Sequence, residues 1–216
     1  MRHLTTILLA AAVFATTTST IRAAGMGSGF IADPPALSAD GDRAGAMLWR
    51  KPGFDLGKYD KVAFDQIEIF LDPASPYKGV SPEDLKVITD TLHRTIAEQL
   101  EPDYPIVGKA GAGVLYVRIA LTNVLVKKKK RGLLSFTPMG LALTAIQDIA
   151  GGRTSLKNAV FEAELVDGAS GERLGVLVDE LAKSGGKKEY SWDAVISAAD
   201  FYAKRFRARL DEAHKR

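Results

Sequence analysis

Two stretches decide the fold: SPEDLKVITDTLHRTIAEQL, residues 81–100, and VLYVRIALT, residues 114–122. The first carries a helix start. Ser81 stands as the cap, Pro82 sits at the first helical position where its missing N–H costs nothing, and Glu83 and Asp84 lie near the positive end of the helix dipole. Leu85, Ile88, Leu92, Ile96 and Leu100 then recur every three or four residues and make one apolar stripe, which Pro102 and Pro105 bring to a stop. In the second stretch Leu115, Val117, Ile119 and Leu121 alternate with Tyr116, Arg118, Ala120 and Thr122, the pattern of a strand with one covered face. A helix and a strand that each hide a single face must shield one another.

Working outward, Val62 and Phe64 alternate after Lys61, and Ile67, Ile69 and Leu71 follow out of phase; the slip at Asp65 and Gln66 predicts a β-bulge. Tyr104 to Val107 reads as a short strand and Gly108 to Gly113 as a turn. Asn158 to Val166 is a strand that sends Phe161, Ala163 and Leu165 one way and Glu162 and Glu164 the other. Asp167, Gly168, Ser170 and Gly171 supply turn chemistry before Arg173 to Lys183, which reads as a hairpin. A second amphipathic helix, capped by Ser191, lines its apolar side with Trp192, Val195, Ile196, Ala199, Ala203, Phe206 and Leu210. These elements predict an α+β fold of two layers. One mixed or antiparallel sheet of about four to five strands carries the two main helices on one face. The other face presents Arg118, Glu162 and Glu164 for cross-strand ion pairs, with the carboxylates in solvent.

Residues 25–58 hold many glycines and prolines without a sustained period, and read as an irregular N-terminal strap or linker. Phe30, Leu48, Trp49 and Phe54 are its apolar pins. Residues 1–24 read as a secretory signal. Met1, Arg2 and His3 form a cationic start, Leu4 to Ala15 an apolar core, and Thr16 to Ala24 a small, polar tail with cleavage near Ala23 or Ala24. The apolar core falls short of the roughly 20 residues a spanning helix requires. The domain division is therefore a signal at 1–24, the strap at 25–58, and a single α+β domain at 59–216.

The chain has 29 Lys and Arg against 26 Asp and Glu; loss of the signal removes Arg2 and Arg22 and no acid, leaving a surplus too small to argue for nucleic acid. No cysteine is present, which excludes disulfides, thiolate metal sites, a cysteine nucleophile and a lipid-modified cysteine.

Ser28, Gly29 and Phe30, then Tyr59, Asp60, Lys61 and Val62 opening a strand, then Ser170, Gly171 and Glu172 at the late turn resemble the bacterial domain-of-unknown-function family 3313. The apolar stretch between the strands that begin at Val114 and Asn158 is similar as well, and the resemblance spans nearly all of the chain after the signal. It implies an exported protein, since many members look like lipoproteins, and it implies no catalytic residues. This chain departs from that pattern in having no cysteine near Ala24.

Motifs for catalysis are thin. His93 lies beside the apolar stripe of its helix with no partner spacing for general-base or metal work. Gly108, Gly111 and Gly113 lack the Lys-Ser or Lys-Thr of a phosphate loop. Ser28 among its glycines does not fit a nucleophile elbow, and Asp40 and Asp42 around Gly41 read as turn residues without the closing glutamate of a calcium loop. Glu162 and Glu164 follow from strand alternation alone.

One segment invites a functional reading: the cations Lys127, Lys128, Lys129, Lys130 and Arg131, followed by Leu133, Leu134, Phe136 and Met139. Near an anionic bilayer each cation contributes on the order of 1 kcal/mol. A helix from Met139 to Ala150 would be about 18 Å long, too short to span a membrane, so it either dips into a surface or completes the core. The expectation is a non-enzymatic accessory or binding module, exported to the periplasm or the periplasmic face of a membrane. It needs no cofactor or metal, and its partner is an envelope protein or a membrane surface. The alternative is a carrier of a small amphiphilic or lipid-like ligand in a groove between the sheet and this apolar stretch; a hydrolase comes third.

Overall fold

Strands from both ends of the chain meet in one sheet. The computed structural model describes residues 28–75, 82–128, 154–181 and 192–215. In chain order its elements are β1 (Ser38–Ala39), β2 (Ala46–Arg50), a 3-10 turn at Leu56–Lys58, β3 (Lys61–Phe64), β4 (Glu68–Leu71), α1 (Pro82–Leu100), β5 (Val114–Lys128), β6 (Thr154–Lys157), β7 (Val160–Asp167), β8 (Arg173–Glu180) and α2 (Trp192–His214).

The 15-residue β5 is the spine. Along one edge it pairs in parallel with β3 (Phe64 opposite Val117) and then with β4 (Glu68 opposite Ala120), so the slip at Asp65 and Gln66 places an extra residue between two collinear strands. Along the other edge it pairs antiparallel with β7 and then β6. The left-handed Asn123 (φ 53°) and Asn158 (φ 58°) stand where the pairing passes from β7 to β6; Asn tolerates that conformation better than most side chains. Beyond β7 come β8, β2 and β1, all antiparallel.

The expectation of about four to five strands is therefore corrected to a mixed sheet of eight, lying in six lanes. Two lanes are each split in two, and the stretch expected to be an irregular strap supplies β1 and β2. The pairing partner of β2 is β8, from the far end of the chain, and no local pattern announces such a contact.

Both helices lie on one face, as the stripes require. Ile88, Leu92, Ile96 and Leu100 of α1 and Val195, Ala199, Ala203 and Leu210 of α2 share one core with Val62, Leu115, Val117, Ile119, Leu121 and Phe161. Each large side chain buried there contributes roughly 1.5–3 kcal/mol. Arg207 of α2 donates to the carbonyls of Gln99 (3.1 Å) and Leu100 (3.3 Å), satisfying the orphan acceptors where α1 ends. Ser81 and Ser191, the expected caps, lie outside the described residues.

The β7–β8 turn is built by Asp167. Its carboxylate accepts from the N–H groups of Ala169 (3.0 Å) and Ser170 (2.6 Å) and from the Tyr59 hydroxyl (2.7 Å). These bonds hold the Asp167 carboxyl down at about 2, and push the Tyr59 phenol, already raised by burial, up to about 12. Gly168 is required by contact: a Cβ there would meet the Val114 carbonyl oxygen at 2.5 Å.

Candidate functional site

Width decides where the sheet lies open. Strands sit about 4.8 Å apart and packed helices about 10 Å, so two helices cover roughly four of six lanes. The lanes beyond those four are the edge lanes of β2 and β1. Between α2 and the helix-facing side of the sheet, from β2 and β8 across β7 to β5, lies a groove of about 1010 Å³, which Ile96 of α1 and Phe64 of β3 also line.

The strand pleat sets its floor. Leu48 of β2 stands opposite Leu177 of β8, which stands opposite Ala163 of β7, so the three form a row across the strands. Leu165 faces Gly175, where a Cβ would sit 3.3 Å from the Leu165 methyl; the glycine leaves that space to leucine. Tyr202 and Phe206 of α2 form the opposite wall, and Phe54 closes one end. Leu48, Phe54, Leu165, Leu177, Tyr202 and Phe206 are all half-buried, an apolar lining that folding alone leaves incompletely covered.

Charged groups frame the groove, and most are engaged. Asp40 is buried and receives both guanidinium nitrogens of Arg205, one at 2.8 Å. That bond holds the Asp40 carboxyl below its usual range and raises Arg205. Arg43 donates to Asp179 at 2.6 Å and Tyr202 donates to the same oxygen at 2.9 Å, while Phe161 stacks on the Tyr202 ring with centroids 5.4 Å apart. Burial first, and Asp179 second, push the Tyr202 phenol far up. Asp179 is fully buried, and its second oxygen has no partner among the described residues. Asp55 accepts from the Gly57 N–H at 3.1 Å and caps the 3-10 turn. Arg50 gives one donor to the Phe54 carbonyl at 2.8 Å, and Arg209, half exposed, comes no closer to Asp42 than 3.9 Å. Arg50, Arg205 and Arg209 all line the groove. Burial, then Arg205 and Arg50, lower the Arg209 guanidinium.

The opposite face corrects the expectation of solvated carboxylates. Residues 28–37 cross it and pack Phe30 and Ile31 against Ala120, Val160, Val176 and Val178. Arg173 donates to the carbonyls of Ala32 (2.7 Å) and Asp33 (2.9 Å), and the Arg118 guanidinium lies 4.8 Å from the Phe30 ring centre. Glu164 pairs with Arg118 (2.6 Å) and Arg173 (2.5 Å), as the alternation suggested. Glu162 pairs with neither. It is wholly buried, accepts from Thr122 and Ser28, and keeps one oxygen without a partner among the described residues. Burial raises its carboxyl. Its seclusion depends on the strap above it, which strand alternation does not encode.

Of the cationic-apolar segment, Lys127 and Lys128 end β5, opposite Ser155 and Thr154. Lys129, Lys130, Arg131, Leu133, Leu134, Phe136 and Met139 lie outside the described residues, as does the expected signal at 1–24. His93 is exposed beside the Phe64 ring, at 5.6 Å between centroids. Asp40, expected only to make a turn, also ties that turn to α2 through Arg205, a partner too distant in sequence to be read. Among the described residues no three His, Asp or Glu converge as a metal site would need, and no helix is long and apolar enough to cross a membrane.

Sheet, helices and groove together define a two-layer α+β domain with an open apolar furrow beside its C-terminal helix. The chain belongs to the family described as Protein of unknown function (DUF3313), whose model matches residues 26–206. Over 124 residues it is 29% identical to the Uncharacterized lipoprotein YdcL of Escherichia coli K12, covering 57% of this chain and 55% of that protein. The counterpart in Escherichia coli O157:H7 gives the same figures, so the chain spans about half the length of the curated relatives it matches. Among solved structures, the PelC dodecamer from Paraburkholderia phytofirmans aligns with a TM-score of 0.36 at 11% identity, over 74% of this chain and 96% of that one. A DUF4136 family protein from Bacteroides thetaiotaomicron aligns with a TM-score of 0.37 at 8% identity, over 80% and 98%.

Proposed function

We propose that this protein is a non-enzymatic binding module of the bacterial cell envelope and that it works through the furrow between α2 and the β2–β8 lanes. The observation that carries the reading is the furrow itself. At about 1010 Å³ it stands at the upper end of small-molecule sites, and six half-buried apolar side chains line it. Contiguous apolar lining of this kind on a folded domain marks a place that something else covers. Location in the envelope is supported by the export signal read at residues 1–24 and by relatives that bear the name lipoprotein. Binding without turnover is the reading favoured by Asp40 and Asp55, two lining acids engaged in a structural pair and a cap.

The test uses the neutral fluorophore N-phenyl-1-naphthylamine. Saturable enhancement at one site per chain is expected, and Ala163→Phe, which fills the floor, should weaken it at least about fivefold while the circular dichroism spectrum stays unchanged. Leu177→Trp is the second blocking variant. Absence of saturable enhancement, or full enhancement in both folded variants, would overturn the reading. Fractionation of the source cells should place the protein outside the cytoplasm.

A further inference from the structure

Resting on that reading of the furrow, we infer that its occupant is a single-tailed anionic lipid, with the tail along Leu48, Leu165, Leu177 and Phe206 and the acidic head group between Arg50 and Arg209. Two observations carry the choice of charge. First, of the acids that line the furrow (Asp40, Asp55 and Glu212), the buried Asp40 is bound by both guanidinium nitrogens of Arg205, and Asp55 gives one oxygen to a backbone N–H. Second, two guanidinium forks there retain spare donors. Arg50 spends one donor on the Phe54 carbonyl, and Arg209, 52% exposed, has its nearest acid Asp42 at 3.9 Å. A guanidinium offers five donors in a plane and takes a carboxylate or phosphate through two parallel bonds, so two such forks at one end of an apolar furrow select an anion.

The lowered proton affinity of Arg209 points the same way, because the cations Arg205 and Arg50 crowd a partly desolvated group and an incoming anion relieves both. A neutral amphiphile leaves the two forks unanswered. The furrow supplies the other half of the selection. Its apolar row runs from β2 across β8 to β7 at strand spacing, about 10 Å, and Leu165 and Phe206 extend the lining beside it.

The experiment measures displacement of N-phenyl-1-naphthylamine from the purified chain by dodecanoate and by dodecyl maltoside. Each is used below its micellar concentration, with acetate and inorganic phosphate as head-group controls. Dodecanoate is expected to displace the probe at about tenfold lower concentration than the maltoside. The double variant Arg50→Gln, Arg209→Gln should erase that preference, with displacement by the maltoside in the same variant as the reference. Both positions are exposed, so the variant tests recognition without disturbing the core. Equal displacement by the two amphiphiles in the parent, or an unchanged preference in the double variant, overturns the anionic assignment and leaves the furrow reading standing. Displacement by acetate or phosphate alone means adventitious ion binding and overturns it too. If the probe does not bind at all, both readings fall.

Discussion

Two carboxylates separated by five positions on β7 titrate in opposite directions, and each sets a pH signature. Burial raises the Glu162 carboxyl above its unfolded value of 4.5, so the folded chain holds that proton more tightly than the unfolded chain does. Stability from this group is greatest below that value and declines as pH climbs through the folded one. Glu162→Gln removes the titration and keeps an acceptor for Thr122. The urea midpoint of the variant should vary less between pH 5 and 8 than the parent's, and at pH 8 it should equal or exceed the parent's. A variant with the parent's full slope would show that Glu162 ionises without cost. Asp167 is the reverse case. Held at about 2 against an ordinary 3.8, it stabilises the fold above the unfolded value, and that stability is lost as pH falls through the folded one. Asp167→Asn should cost about 1–2 kcal/mol near neutrality, read from denaturant curves, and should lessen the loss of stability below pH 4, to which the lowered Asp40 also contributes.

Among the elements, the strap behaves as a separable unit, because its hold on the sheet is a short roll of contacts: Phe30, Ile31, and Arg173 to two carbonyls. Phe30→Ala removes an aromatic ring from that small cluster, at about 3 kcal/mol if the cluster answers as a core would. The loss should be local. Amide exchange across residues 29–37 is expected to accelerate while α1 and α2 remain protected; equal acceleration everywhere would show the strap to be part of the global unit. What the sequence makes legible divides along the same line. The stripe of α1, the alternation of β5, the slip at Asp65 and the Asp167 turn are local patterns, and each appears where its residues predict. β2 reads AMLWR, too short for alternation to stand out among neighbouring glycines, and its pairing is decided by β8 on the far side of the chain. Alternation leaves Glu162 in solvent because it says which way a side chain points and nothing of what lies above it.

For the molecule as a whole, the unread strands account for the unread site. Two helices cover roughly four lanes, so a sheet of six leaves an open edge at the lanes that β2 and β1 add. Leu48, Leu177 and Phe206 look like ordinary core residues in sequence. Only lane count and helix position leave them half-covered, and Arg50 and Arg209 meet at the mouth from opposite ends of the chain.

The pairing of β2 with β8 also orders events in time. The β7–β8 hairpin closes across a short turn, and such closures take microseconds, whereas docking β2 requires residues from the two ends of the domain to find each other. The furrow wall is therefore among the last parts to assemble. In stopped-flow refolding, recovery of N-phenyl-1-naphthylamine fluorescence should lag the far-ultraviolet signal of the helices; coincident traces would mean that β2 docks within the main transition. A nascent chain would thus complete the furrow only once β8 had emerged to receive β2.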